Sequence, residues 1–178
     1  MARIITIYGL IAGLIIIAGG VIGTIVLGGD QPHGNVWLGY LIMLLGMAAV
    51  FMGVKQHRDQ AGGGVIRFFP ALGVGLGIAV VASLAYVLIW EAYLAATNYE
   101  FMAQYTAATL EARRAEGLSG EAYRQLEAQM NQMVDQYRSP WFRMPLTFAE
   151  IFPVGLLVSI VSAALLRNSR FLPARSRA

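Results

Sequence analysis

Residues 68–93 read FFPALGVGLGIAVVASLAYVLIWEAY, an apolar stretch in which Glu91 is the single charged residue. A helix that crosses a bilayer needs about 20 apolar residues, so this stretch is long enough to span a membrane. Three further apolar runs of similar length occupy residues 4–27, 37–54 and 146–166. Four such runs predict an all-α integral membrane protein with four transmembrane helices, because only helices and closed barrels satisfy their backbone polar groups in lipid.

The composition agrees with a membrane location. Only 13% of the residues are charged, 57% are hydrophobic and the mean hydropathy is +0.60, whereas soluble domains average about 25% charged residues. The chain has no cysteine, which excludes disulfides, thiolate metal sites and cysteine nucleophiles. Arg3 precedes the first run, but that run is longer than the ~7–15 apolar residues of a secretory signal, so we predict an uncleaved anchor.

The loop charges predict how the four spans are oriented. One set of span ends carries eight basic residues and Asp59 as its one acid; the basic residues are Arg3, Lys55, Arg58, Arg67, Arg167, Arg170, Arg175 and Arg177. The opposite side, which comprises the 28–35 loop and the segment between spans three and four, has five arginines against seven acids. The positive-inside rule therefore places both termini in the cytoplasm and the long segment outside. Since this rule accounts for the net charge of +3, we predict no nucleic-acid partner.

The segment between spans three and four is the head, which we define as residues 95–143. We divide the chain into residues 1–94 with three spans, the head, and residues 144–178 with the fourth span and a basic tail. Helix-forming residues fill the head up to Tyr137, with one break at residues 117–120, which predicts a helical hairpin. The sequence leaves open a direct continuation of span three into the first helix of the head.

Apolar residues in the head recur at spacings of three and four, which predicts a packing seam on each helix. This seam either packs the hairpin against itself or docks onto a second copy or another envelope protein. The second helix carries Tyr123, Leu126, Met130, Met133 and Tyr137, and the first carries Met102, Tyr105, Thr109 and Ala112.

Glycines recur along the spans at spacings that favour close helix packing. Helices in lipid gain little from burying leucine against leucine, so small residues that allow close backbone approach are typical of their contacts. Two interpretations stay open, packing within one bundle and a homodimer face. The predicted packing glycines are Gly9, Gly13, Gly39, Gly46, Gly73, Gly77 and Gly155.

Two carboxylates fall in or near the hydrocarbon, Glu91 late in span three and Glu150 early in span four. Intramembrane carboxylates are costly and often functional. Each is either a boundary residue paired with an arginine, Arg143 or Arg138, or part of a polar pocket for a cation, a proton or a lipid headgroup. Pro153 follows Glu150 within the span and predicts a kink there.

The Lys55–Arg67 segment is the densest basic cluster beside a span. Lys55, His57, Arg58 and Arg67 are predicted to anchor the protein at the membrane surface through anionic lipids. His33 and His57 fall on opposite sides of the predicted membrane, so we expect no metal site and no cofactor from the histidines.

Several apolar strings carry a resemblance to a known family. They are YGLIAG at residues 8–13, GYLIML at 39–44, GVK at 53–55 followed by Arg58-Asp59, and EIFPVGLL at 150–157. In these strings the chain resembles an uncharacterised bacterial membrane-protein family, domain of unknown function 4199. The resemblance implies four spans and a bacterial inner membrane, and it implies no activity.

Three functional hypotheses follow from this organisation. The first is a non-enzymatic accessory or scaffolding protein, whose partners are membrane lipids, a second copy of itself, or an envelope protein that binds residues 95–143. The second is a dimeric transporter of a small molecule, ion or lipid that uses Glu150 and the Pro153 kink. The third is an enzyme for lipid-linked substrates with Glu91, Glu150 and Arg143 in a polar site; no catalytic constellation in the sequence favours it.

Overall fold

The computed structural model describes residues 1–26 and 36–174, which form six helices and no strand within these ranges. Four of the helices are long and apolar enough to cross a membrane, so the chain is a multi-pass, all-helical membrane protein. The predicted 28–35 loop with His33, and the predicted inner residues Arg175 and Arg177, lie outside the described residues. The helices are α1 (Ala2–Val26), α2 (Val36–Ala61), α3 (Phe68–Ala96), α4 (Phe101–Ala115), α5 (Gly120–Tyr137) and α6 (Pro140–Leu166).

The four long helices pack as a bundle. Helix α3 packs against α1 and α6, α2 packs against the same two helices, and α2 and α3 also touch across the middle. The core consists of small and branched side chains from all four helices, such as Ala12, Val50, Ile78 and Ile151. We call the end where α3 finishes and α6 begins the head end, and the opposite end the termini end.

The structure moves two helix boundaries and decides one that the sequence left open. Helix α2 runs to Ala61, seven residues beyond the predicted end of its span at residue 54. Helix α3 does not continue into the head but ends at Ala96, because Asn98 and Tyr99 adopt left-handed backbone angles (φ 52° and 58°) that no helix can contain. Helix α6 begins at Pro140, six residues before the predicted span. Proline is favoured in the first turn of a helix, where its missing N–H would be unpaired in any case, and hydropathy alone does not detect this polar first turn.

The head contains the predicted hairpin, in which α4 and α5 pack against each other. The predicted break lies between Ala115 and Gly120, and Gly117 and Gly120 take positive φ angles of 94° and 64° that suit glycine.

The packing seam on α5 follows the prediction at Tyr123, Leu126, Met130 and Tyr137, which are half-buried, and departs from it at Met133. Val134 is half-buried, whereas Met133, at 37% exposure, points away from the seam. On α4 the buried residues are Thr106, Thr109 and Leu110, while Tyr105 is exposed. A straight helix has 3.6 residues per turn, so a seam drawn with a 3.5-residue period drifts off the contact face.

Candidate functional site

Arg143 and Glu91 form an ion pair at the head end of the bundle. The arginine Nε donates to Glu91 Oε1 and its Nη2 donates to Glu91 Oε2, and the donor–acceptor distance is 2.6 Å in both hydrogen bonds. Helix α3 brings Glu91 there in its last two turns and α6 brings Arg143 in its first turn. The side chains are only 5% (Arg143) and 14% (Glu91) exposed, so this bidentate pair links α3 to α6 with little screening by water.

The remaining donors of Arg143 bind the end of the head. Its Nη1 donates to the carbonyl oxygens of Arg138 (2.8 Å) and Tyr137 (3.3 Å). The Tyr99 ring lies 4.8 Å from the guanidinium carbon, within the range of a cation–π contact. One side chain thus connects α3, α6, the end of α5 and the left-handed turn before α4. We call Arg143 with these partners the arginine clamp.

An aromatic cluster around Trp90 lies beside the clamp. Its ring stacks on Tyr93 at 5.2 Å between centroids and meets Phe101 edge-on at 4.9 Å. Trp90 Nε1 also donates a hydrogen bond of 2.8 Å to the hydroxyl of Tyr137, which fixes the last residue of α5 against α3. Trp90 is therefore a half-buried residue at the junction between the bundle and the head.

Burial dominates the acid–base behaviour of Tyr137. It raises the pKa of this phenol above its ordinary value, and the nearby Glu150 and Glu91 carboxylates raise the pKa further, whereas hydrogen bonds with Trp90 and Thr147 lower it. The phenol therefore stays neutral at physiological pH and serves as a hydrogen-bonding group of the junction.

A cavity of about 260 Å³ opens between the clamp and the base of the head. It is large enough for a small molecule but contains no nucleophile hydrogen-bonded to a base. No group of three histidine, aspartate or glutamate side chains able to hold a metal occurs in the part of the chain that the structure describes. The lining residues are Leu94, Asn98, Tyr99, Glu100, Met102, Ala103, Val134, Tyr137 and Arg138.

Glu150 lies apart from the clamp. The predicted arginine partners are both bound elsewhere, Arg143 to Glu91 and Arg138 to Asp135 at 3.8 Å. Glu150 follows Arg143 by two helical turns, about 10 Å along the axis, which is beyond the reach of that arginine. The side chain is exposed on the bundle surface and lines a cavity of about 190 Å³ with Gly39, Tyr40 and Met43. The polar site of Glu91, Glu150 and Arg143 that an enzyme would need is therefore not assembled by contacts between described residues.

The basic residues at the termini end do not behave alike. Arg67 is exposed, and Lys55 and His57 are half-buried, which suits contact with a membrane surface. Arg58, predicted as a surface anchor, is instead completely buried. Its Nε donates to Asp59 and its two terminal nitrogens donate to the carbonyl oxygens of Phe171 and Leu172. Arg58 thus binds the chain segment after α6, because that segment folds back over the end of α2.

The packing glycines fall into two groups. A Cβ added at the first group would come within 3 Å of a side chain on another helix: Val81 for Gly9, Ala85 for Gly13, Ile16 for Gly46, Ile5 for Gly77 and Ala79 for Gly155. These glycines lie at helix contacts inside the bundle. A Cβ at Gly39 or Gly73 would meet nothing within 4 Å, so neither lies at a helix contact of the described bundle. Three glycines outside the predicted set, Gly19, Gly53 and Gly75, do lie at such contacts, against Ile42, Ile78 and Ser159.

Sequence reasoning missed three residues of these sites. Tyr99 contributes its ring to the clamp because Asn98 and Tyr99 form a left-handed turn. The sequence has no glycine at these positions that would predict such a turn. Tyr137 was assigned to the α5 seam, and its contact with Trp90 depends on how α5 leans on α3. Arg58 was predicted as a surface anchor, and its burial depends on the backbone carbonyls of Phe171 and Leu172, 113 and 114 residues away. Backbone acceptors at that separation leave no mark in the sequence.

Comparison with known proteins places the chain in one family. No curated protein and no solved structure matches it. A family model described as "Protein of unknown function (DUF4199)" matches residues 7–168, a range that includes most of α1, the whole of the other three long helices, the arginine clamp and Glu150. Since the match covers most of the chain, this four-helix membrane protein belongs to the DUF4199 family.

Proposed function

We propose that the protein is a non-enzymatic accessory or scaffolding protein of the bacterial inner membrane, with both termini in the cytoplasm and the head outside. The orientation is supported by the excess of lysine and arginine in the short segments at the termini end. The protein would act through contacts of its helices and its head with membrane partners.

The arginine clamp is the observation that carries this proposal. It fixes the base of the head on the bundle through an ion pair, two backbone carbonyls and an aromatic ring. A rigid binding surface loses less conformational entropy when a partner docks, so a fixed head presents an interaction surface at low cost. A passive loop between two spans would need neither the ion pair nor the contacts with the carbonyls and the aromatic ring.

The head also leaves surface available for a partner. Helix α5 has no fully buried residue, and two apolar side chains, Tyr105 and Met133, are exposed on the hairpin. Tyrosine and methionine are adaptable residues that are enriched in protein interfaces. The partner is a second copy of this chain or another envelope protein with a helical surface.

Site-specific photo-crosslinking in cells tests this proposal. A photoreactive amino acid at Met133 or Tyr105 should give a discrete adduct, and the same residue at Gln132, an exposed polar neighbour on α5, is the matched control. The mass of the adduct distinguishes a homodimer from a second protein. A strictly monomeric protein with no adduct at Met133 or Tyr105 would contradict the proposal.

A dimeric transporter of a small molecule, ion or lipid is the second candidate, and the position of Glu150 favours it. An exposed carboxylate on α6, next to a cavity and three residues before Pro153, is unusual in a membrane span. Four spans are few for a carrier, so two copies would be needed. Uptake by proteoliposomes should be lost in Glu150→Gln and retained in Glu127→Gln on the head. Equal uptake by both variants would exclude this mechanism.

A further inference from the structure

The carboxylate of Glu150 has no hydrogen bond or ion pair among the described residues, although it lies in a membrane-spanning helix. Arg143, the nearest cation on α6, is fully occupied by Glu91 and two carbonyl oxygens. Three arginines of the head pair with acids close in sequence, as Arg113–Glu116, Arg124–Glu121 and Arg138–Asp135, and Arg114 lies at the far end of the hairpin. A charged group in a low-dielectric environment requires a compensating partner, and no hydrogen bond or ion pair within residues 1–26 and 36–174 supplies one to Glu150.

The cavity beside Glu150 has room for a small polar group. Its volume is about 190 Å³, and Gly39, Tyr40 and Met43 of α2 form its other walls. A Cβ added at Gly39 would enter open space, with nothing within 4 Å. Glu150 and Tyr40 are the lining residues with side-chain oxygens, and a carboxylate and a phenol can both accept from a cationic donor with several N–H groups.

The surface below Glu150 is apolar. Leu157 and Val161 follow at intervals of seven and eleven residues, which places them on the same face of α6 at increasing depth. Both side chains are exposed. A ligand bound at Glu150 can thus extend an apolar part along this face, as a lipid does and as a free metal ion does not.

We propose that the Glu150 cavity binds the primary ammonium group of an aminophospholipid, whose acyl chain runs along Leu157 and Val161. A primary ammonium offers three donors for the Glu150 carboxylate and the Tyr40 phenol. A quaternary choline headgroup has no N–H to donate, and a headgroup with a net negative charge is repelled by the carboxylate. The proposal goes beyond the scaffolding role; it concerns the cavity of the second candidate function but requires no transport.

Native mass spectrometry of the detergent-purified protein with defined lipids tests the proposal. The probes are dioleoyl phosphatidylethanolamine, phosphatidylcholine and phosphatidylglycerol, which share their acyl chains and differ in the headgroup. The wild type should retain the ethanolamine lipid about tenfold better than the other two, as expected for one charge-assisted hydrogen-bonded contact. Glu150→Gln and Gly39→Val, which remove the charge and fill the cavity, should each abolish this preference.

A matched control variant keeps the test decisive. Gly73→Val is a matched substitution at a helix glycine with the same open surroundings, and it should keep the wild-type preference. Equal retention of the three lipids by the wild type, or unchanged retention in Glu150→Gln, would overturn the proposal. A thermal shift by sodium or potassium that requires Glu150, without lipid preference, would assign the cavity to a free cation instead. Head crosslinking would be unaffected in every case, so the scaffolding proposal is tested separately.

Discussion

Each end of the bundle buries one arginine, and the two arginines differ in the carboxylate that they bind. Arg58 at the termini end is completely buried and Arg143 at the head end is nearly so. Each donates to the carbonyl oxygens of two consecutive residues outside the long helices, Phe171 and Leu172 in one case and Tyr137 and Arg138 in the other. Both therefore attach an irregular segment to the end of a helix bundle.

The difference between the two ends lies in the carboxylate. Arg143 has a bidentate partner, Glu91, on another helix, whereas Arg58 makes a single contact with its neighbour Asp59, which Lys55 also binds. A carboxylate on another helix makes the arginine a link between helices, while a carboxylate next in sequence only neutralises the charge. The head end is thus linked across helices, and the termini end is capped by hydrogen bonds.

The largest expected effect comes from breaking the link at the head end. Arg143→Gln leaves the Glu91 carboxylate buried without its cation, and we expect a loss of about 3–5 kcal/mol in unfolding free energy. Equilibrium unfolding in detergent, followed by circular dichroism, measures it. The double variant with Glu91→Gln should lose clearly less than the sum of the two single variants. Additive losses would mean that the two residues do not act as a pair.

The equivalent change at the termini end should cost less. Arg58→Met leaves two carbonyl oxygens unpaired but keeps Asp59 bound to Lys55, so we expect a loss of about 1–3 kcal/mol. The segment after α6 should also detach, which trypsin cleavage at Arg170 would report as a faster reaction. Arg67→Met, at an exposed arginine of the same end, is the control. If Arg58→Met leaves the cleavage rate unchanged, the cap is not what holds the tail.

A methyl group added where α6 contacts α3 should destabilise the protein. Gly155→Ala places a Cβ 2.7 Å from Ala79 and 3.2 Å from the flexible end of Met47, which pushes α6 away from α3. We expect the free energy of unfolding, measured by the same detergent unfolding experiment, to fall by about 1 kcal/mol, the low end of the range for over-packing. Gly73→Ala should be neutral or slightly stabilising, because its Cβ meets nothing. Equal effects of the two variants would show that the α3–α6 spacing tolerates the methyl group.

The smallest expected effect comes from the hydrogen bond beside the clamp. Trp90→Phe removes the donor to Tyr137 and keeps an aromatic ring, whereas Tyr137→Phe removes the acceptor and also the hydrogen bond with Thr147. We expect Trp90→Phe to lower the free energy of unfolding by about 0.6 kcal/mol, the average measured for side-chain hydrogen bonds in a helical membrane protein, and Tyr137→Phe to lower it more. The double variant should lose no more than Tyr137→Phe alone. A loss as large as that of Arg143→Gln would make the aromatic cluster, rather than the ion pair, the main link at the head end.

The agreement between sequence and structure is best where one helix alone decides the outcome. The four spans, the hairpin break near Gly117 and the nearness of Glu91 to the end of α3 depend on apolar length and local backbone preference. Agreement fails at Met133 and Tyr105, where the contact face depends on the twist between two helices. At Glu150 the sequence left two alternatives open, pairing with an arginine and lining a polar pocket, because Arg143 was an equally good partner for Glu91 and Glu150 on sequence grounds.

The sequence by itself determined that this chain enters a membrane and how many times it can cross. It also showed that only two acids, Glu91 and Glu150, lie in or near the hydrocarbon. These properties follow from the cost of exposing polar groups to lipid, which each segment meets on its own. Only the tertiary structure decided which acid pairs with which arginine. Pairing depends on distances of a few ångströms between helices that are far apart in sequence, and packing sets those distances. That choice left Glu91 bound to Arg143 and Glu150 facing outward beside its cavity.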